Sequence, residues 1–308
     1  MVFISTQDNF KLSKVERYCM DIFNLAWFLK NLFSNNDSIL SQKSFSSHEW
    51  YDLYTLALEH KVESIIYRQL CLNKKLIMTV PSVIQRALRS AYKYNYLQNS
   101  YGIQEANHIA KMCYEAGIQI CAVKGIDLLN DVYTDIGVRP MQDIDFLSFY
   151  DKYEEIDYLL KRNDYAVAMI NDKILSDFDN QLDIQSVLYK KKKCYPAYDQ
   201  QLSIDIAFKN RNYNIGDLIE RSVYSVKSKE WRSLLPADFA LLLCFELHKD
   251  ALERNPKPLP ENCSIGKLID IIGYIHIHHI NREVINTVSV VEYAQECAYS
   301  LFGKKLFK

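Results

Sequence analysis

Apolar positions near the start of the chain recur at intervals of three and four. Leu12, Val15, Cys19, Ile22, Phe23, Ala26 and Leu29 fall on one stripe, the pattern of an amphipathic helix, so a helix is predicted over residues 12–33. The polar run Ser34 to Ser38 ends it. A second helix is expected from near Ser47, whose hydroxyl can cap exposed N–H groups, through EWYDLYTLALEH, and a third in VESIIYRQL. Pro81 suits a first helical turn and opens a helical stretch, one helix or two, that runs to Gly117. Glycine commonly ends helices in a left-handed conformation.

The pattern changes at residue 118. Ile118 to Val123 is a short unbroken apolar run and is predicted as a buried strand. A short helix should begin at Gly125 and reach Tyr133, and a loop to Pro140 leads into a strand over Gln142–Phe149. A crossover helix at 151–162 and a weak strand near Tyr165–Met169 follow. SVLYKKK and QLSIDIAF are then predicted as two strands joined by a turn through Cys194 to Gln200. From Pro236, DFALLLCFELHKDAL resumes helical character, with further helices near 264–279 and 284–300. The order helical, mixed, helical predicts an α+β protein: a helical region at 1–100, a mixed core at 101–225 and a second helical region at 226–308.

Composition narrows the class of partner. The 308 residues carry 37 Lys and Arg against 38 Asp and Glu, a net charge of -1, so no global field draws the chain to nucleic acid or an anionic membrane. The greasiest run, Ile22 to Leu29, is interrupted by Asn24 and stopped by Lys30, well short of the roughly 20 apolar residues that span a bilayer. No secretory leader precedes it, and a soluble cytoplasmic protein is expected. The eight cysteines are scattered without a C-x-x-C pair, consistent with reduced thiols. Gly and Pro are sparse, at 8 and 7, which favours long helices. Neither a P-loop nor G-x-G-x-x-G is present.

The candidate chemistry lies in the central stretch. Asp143 and Asp145 are two residues apart on a predicted strand, so they share a face with Cα atoms about 6.5 Å apart. Carboxylates at that reach can grip one divalent cation, and Mg²⁺ is commonly held by one or two carboxylates together with substrate phosphates. This predicts a metal-dependent nucleotide site. The bland alternative is a pair of acids on a solvated sheet face.

The stretch AVKGIDLLNDVYTDIGVRPMQDIDFL resembles the signature of the uncharacterised nucleotidyltransferase family within the polymerase-β-like nucleotidyltransferase superfamily: strand, Lys-Gly, helix, Tyr, Arg-Pro-Met, Asp-x-Asp. YTLALEHKVESIIYRQL, IDIAF and FELHKD are similar to its flanking segments, so the likeness covers roughly residues 48–275. The resemblance implies a polymerase-β-like core between helical flanks. It also implies transfer of a nucleoside monophosphate from a nucleoside triphosphate, such as ATP, with release of pyrophosphate. The implied cofactor is Mg²⁺ or Mn²⁺, two ions stabilising the entering and leaving oxygens, held by Asp143, Asp145 and a third acid. Asp205 is the candidate third, since Leu202, Ile204, Ile206 and Phe208 alternate around it. Gly125 fits close approach of a triphosphate to a helix N-terminus. Lys124 and Arg139 are candidates for phosphate binding or for a structural ion pair, and Lys249 is a weaker phosphate candidate. Two departures from the wider superfamily stand out: Ile126 follows the glycine where Ser or Gly is usual, and Gly125 and Asp143 lie 143 − 125 = 18 positions apart.

Other clusters have ordinary readings beside functional ones. Lys190 to Lys193, and Arg86, Arg89 and Lys93 interleaved with Tyr92, Tyr94 and Tyr96, suit either an RNA track or a solvated surface and a packed seam. His276, His278 and His279 have no metal-ligand spacing, and Asp270 is expected to orient helices. The expected acceptor is therefore a hydroxyl-bearing small molecule or protein. A tRNA-modifying enzyme of the toxin type and a non-catalytic nucleotide-binding scaffold are the alternatives.

Overall fold

The computed structural model describes residues 14–33, 40, 45–174, 182–191, 202–210, 212–225, 228–253, 262–282, 285 and 289–307. Among the described residues, the helices that come first are α1 (Lys14–Phe33), α2 (Ser47–Glu59), α3 (Glu63–Leu72), α4 (Lys74–Ile77) and α5 (Ser82–Glu115). Residues 12 and 13 of the first predicted helix lie outside the described residues. The cap of α2 is Ser46, not Ser47: its hydroxyl accepts from the Glu49 N–H at 3.3 Å, while the Glu49 carboxylate accepts from the Ser46 N–H at 2.8 Å. This reciprocal pair is a capping box. The stretch after Pro81 is one helix of 34 residues, and it runs unbroken across the expected division at residue 100.

A seven-stranded mixed sheet follows, built from β1 (Ile120–Val123), β2 (Asp143–Ser148), β3 (Tyr165–Ile174), β4 (Leu182–Lys191), β5 (Ser203–Ala207), β6 (Val223–Tyr224) and β7 (Arg232–Ser233) in the order β3-β4-β5-β2-β1-β7-β6. The helices within this region are α6 (Lys124–Asp131), α7 (Tyr153–Arg162) and α8 (Ile215–Arg221). Sequence pattern did not mark α8, β6 or β7, which are too short to show a period. Strand β3 is longer than expected and pairs β4 antiparallel with two register shifts. The predicted turn through Cys194 to Gln200 lies outside the described residues. The chain ends in α9 (Pro236–Glu253), α10 (Ile265–Ile277) and α11 (Ser289–Phe302). The architecture is α+β, a mixed sheet between helical flanks, as the sequence predicts.

The sheet separates two cores, and this division decides which way the acids point. Ile144 and Phe146 of β2 and Ile204 and Ile206 of β5 pack with Ile109 and Cys113 of α5 and Ile156 and Leu160 of α7. Alternation along a strand then places Asp143, Asp145 and Leu147 on the opposite face, where Leu147 joins the second core. That core brings the two ends of the chain together. Ile22, Leu25 and Phe28 of α1 share it with Phe239 and Leu243 of α9, Leu268 and Ile271 of α10, and Ala294 and Ala298 of α11. No helix among the described residues is long and apolar enough to cross a membrane. Cys71, Cys113, Cys121, Cys244, Cys263 and Cys297 form no disulfide.

Candidate active site

Strand register assembles the acids. β2 pairs β5 in parallel with Asp145 directly opposite Asp205, and it pairs β1 antiparallel with Val123 opposite Asp145. Val123, Asp145 and Asp205 therefore form one row across three strands, with Asp143 one pleat away on the same face. Asp145 is buried. Burial pushes its carboxyl up to about 6, with the charge of Lys124 opposing the rise and that of Asp143 adding to it. Asp205 is also raised, first by burial and then by Asp145. One of its oxygens, Oδ1, is buried without a hydrogen-bond partner. An unpaired buried oxygen beside another acid carries a desolvation cost, which a ligand can relieve.

Lys124 sits immediately after this row. Its Nζ lies 2.8 Å from Asp145 Oδ1 and 3.6 Å from Glu246 Oε2 on α9. Burial alone would lower its pKa, but Asp145 and Glu246 outweigh that and raise it. The backbone here has φ of 52°, a left-handed conformation that costs a non-glycine residue roughly 1–2 kcal/mol. Such strain persists where surroundings over-determine it, and it concentrates at functional sites. The paired carboxylates and the sharp turn from β1 into α6 supply that constraint.

The loop between α6 and β2 is fastened from three sides. Arg139 forms a bidentate pair with Asp270 of α10, Nε to Oδ2 at 3.0 Å and Nη2 to Oδ2 at 3.0 Å, with Nε also 3.2 Å from Oδ1. The Tyr133 hydroxyl donates to the same carboxylate at 2.5 Å. Asn99 of α5 donates to the carbonyls of Ile136 and Arg139, and Gln98 to that of Met141. Asp135 accepts from Tyr92 and Arg68. Gly125 has a packing reason for lacking a side chain, because a Cβ there would meet Met141 Cγ at 2.9 Å and Arg139 Nη1 at 3.0 Å. The Tyr, Arg-Pro-Met and Lys-Gly parts of the motif are thus one interlocked unit anchored on α10, and Ile126 is core. Asp270→Asn should cost about 3 kcal/mol, because it leaves a buried guanidinium without its counter-charge; denaturant unfolding would measure the loss.

Two cavities meet at the Lys124–Asp145–Glu246 bridge. One, of about 400 Å³, is lined by Gly125, Arg139, Asp143, Asp250 and the start of α10. The other, of about 570 Å³, is lined by Asp205, Ser186, Asn171, Lys209, Tyr213 and Lys249. Both have the size of small-ligand sites. Of the sequence candidates, Lys124, Gly125, Arg139, Asp143 and Asp145 line the first, while Lys249 lines the second with Asp205. Pattern reading overlooked Glu246, although its spacing from Lys249 and Asp250 on FELHKD puts all three on one helical face. The other clusters lie apart. Lys191 is paired with Glu105 at 2.8 Å, His278 contacts Asp131 at 2.5 Å, and Arg86, Arg89 and Lys93 are exposed on α5. Lys192 and Lys193 are outside the described residues.

Among the described residues, no group of three His, Cys, Asp or Glu side chains is placed to hold a metal ion. Lys124 Nζ lies against Asp145 Oδ1 at 2.8 Å. The candidate donors Asp143, Asp145 and the orphaned Asp205 Oδ1 are carboxylate oxygens, the kind of ligand a hard divalent cation takes.

A family profile described as "Uncharacterised nucleotidyltransferase" matches residues 46–301. No curated protein sequence matches the chain. Among solved structures, ANT(2″)-Ia in complex with adenylyl-2″-tobramycin is similar over 62% of this chain and 94% of its own, at 10% identity and a TM-score of 0.38. An antigenic nucleotidyltransferase-like protein from Paracoccidioides brasiliensis is similar over 67% of this chain and 98% of its own, at 11% identity and a TM-score of 0.32.

Proposed function

The chain belongs to the uncharacterised nucleotidyltransferase family, and from that premise we propose that it transfers a nucleoside monophosphate from a nucleoside triphosphate to a hydroxyl on a small molecule or protein. The observation that carries this reading is the row of Asp145 and Asp205 in register, with a cavity on either side of Lys124. A group-transfer enzyme needs a donor site and an acceptor site that share one reacting centre. Here the carboxylates lie where the two cavities meet.

The donor lies in the cavity bounded by Gly125 and Asp143, with its phosphates toward the N-terminus of α6, where N–H groups and the helix dipole favour anions. The acceptor enters the cavity of Asp205, whose lining of Asn171, Ser186 and Tyr213 can hydrogen-bond a hydroxyl-bearing group. Its oxygen bonds to the α-phosphorus, the bond from that phosphorus to the bridging oxygen of the β-phosphate breaks, and pyrophosphate leaves. Asp205 takes the hydroxyl proton. Mg²⁺ or Mn²⁺ held by Asp143, Asp145 and Asp205 would supply stabilisation of charge on the entering and leaving oxygens. Lys124 bridges the two halves, within reach of phosphate from its place at Asp145.

A non-nucleic-acid acceptor is favoured by what surrounds the site. The chain is nearly neutral, and Lys191 of the lysine run is engaged with Glu105. Incubation with each α-labelled nucleoside triphosphate, divalent metal and cell extract tests the reaction. Label on RNA, lost steeply with salt, would overturn the acceptor class, and no labelled product from any nucleotide would overturn the activity. Asp205→Asn should abolish transfer, by about 100-fold or more, while leaving triphosphate affinity within a few fold by calorimetry. Equal loss of both would place Asp205 in donor binding.

A further inference from the structure

The far wall of the donor cavity is the start of α10. Ser264 stands at the N-cap, yet its side chain makes no capping hydrogen bond. It is only 6% exposed and lines the cavity. A buried hydroxyl that forgoes the cap leaves first-turn N–H groups to be satisfied otherwise. The Ile265 N–H reaches His60 Nδ1 at 3.5 Å. The next two residues, Gly266 and Lys267, also line the cavity. Gly266 must be glycine, because a Cβ would lie 2.8 Å from the His60 carbonyl oxygen. Close packing on the turn before α3 therefore keeps this backbone bare. The Lys267 ammonium is fixed at the same end, 2.8 Å from Asp250 Oδ1 and 3.3 Å from the Glu246 carbonyl oxygen.

We propose that the N-terminus of α10 is a second anion seat in this cavity, formed by the Ser264 hydroxyl and the backbone of Gly266 and Lys267, and that it takes the terminal phosphate of the donor's triphosphate. This inference rests on the donor reading above and extends it to the choice of a triphosphate over shorter nucleotides. The α6 end and the α10 end lie in one cavity. Each presents a helix N-terminus, which attracts anions through free N–H groups and the helix dipole. A polyphosphate chain is a ligand that can use both. The seat also ties the substrate to α10, and through Asp270 to Arg139 and the Asp143 loop.

The test is Ser264→Asp. Aspartate is a good N-cap, so the variant should keep or gain thermal stability while placing a negative charge in the seat. Calorimetry with nucleoside triphosphate, nucleoside monophosphate and inorganic tripolyphosphate should show triphosphate and tripolyphosphate binding weakened about tenfold or more, with monophosphate binding unchanged. Ser264→Ala should show a smaller loss in the same order. Triphosphate bound equally well by wild type and Ser264→Asp, or triphosphate and monophosphate weakened alike, would overturn the seat and leave the donor reading standing. Wild-type protein that binds tripolyphosphate in a Ser264-dependent way but no nucleotide would overturn the donor reading and keep the seat. Wild-type protein that binds neither would overturn both.

Discussion

Asp143→Asn should lower nucleotidyl transfer by about 100- to 1,000-fold while leaving the melting temperature almost unchanged. The expectation comes from the different surroundings of the two paired acids. Asp143 lines the donor cavity, and among the described residues it forms no ion pair, so exchanging oxygen for nitrogen removes charge without breaking a contact. Asp145 is buried and holds Lys124 at 2.8 Å. Asp145→Asn would strip the half-buried Lys124 ammonium of its buried partner, and its activity loss would arrive mixed with a stability loss of the kind seen when one member of an ion pair is deleted. The Asp143 variant is the cleaner probe of chemistry. Transfer rates, divalent-metal titration and thermal melting should be measured together. A variant that melts normally and retains wild-type turnover would remove Asp143 from the site.

The motif was legible in the sequence because its spacing maps onto strand geometry. Two acids two residues apart must share a face of β2, and alternation around Asp205 fixed its face as well. Their meeting across the sheet was not legible. It depends on a parallel pairing of β2 with β5, two strands separated in the chain by α7, β3 and β4, and periodicity carries no register. The same limit explains Arg139. A lone arginine near a glycine motif suits phosphate as well as an ion pair, and Asp270, some 130 residues later, is what holds its guanidinium. Gly125 shows how a residue singled out for one reason can also be required for another. The sequence suggests room for a triphosphate, whereas the backbone is also crowded by Met141 and Arg139. That α5 is one helix and not two was not legible, but its helical character was, since its 34 residues display their period many times. The two-residue strands β6 and β7 display none.

Lys124→Met should tighten divalent-metal binding in the absence of nucleotide about tenfold, and weaken triphosphate binding and transfer about 100-fold. The two effects have opposite signs because Lys124 faces two kinds of partner. Without substrate its ammonium neutralises Asp145 and approaches Glu246, so any cation arriving at these carboxylates competes with a resident one. Unit charges 4 Å apart interact by about 4 kcal/mol at an effective dielectric of 20, and tenfold in affinity is only about 1.4 kcal/mol. The predicted gain needs a minor part of the available energy. With a triphosphate bound, the same ammonium can turn from carboxylate to phosphate, which frees Asp145 and couples donor binding to metal binding. Lys124→Gly is the companion variant: it also removes the ammonium but relieves the left-handed backbone at φ of 52°, so it should repeat the metal phenotype with a smaller loss of stability. Manganese binding followed by electron paramagnetic resonance, with and without a non-hydrolysable triphosphate, reads the first effect directly. Metal affinity that stays level or falls in both variants would make Lys124 a brace for the turn between β1 and α6 and nothing more.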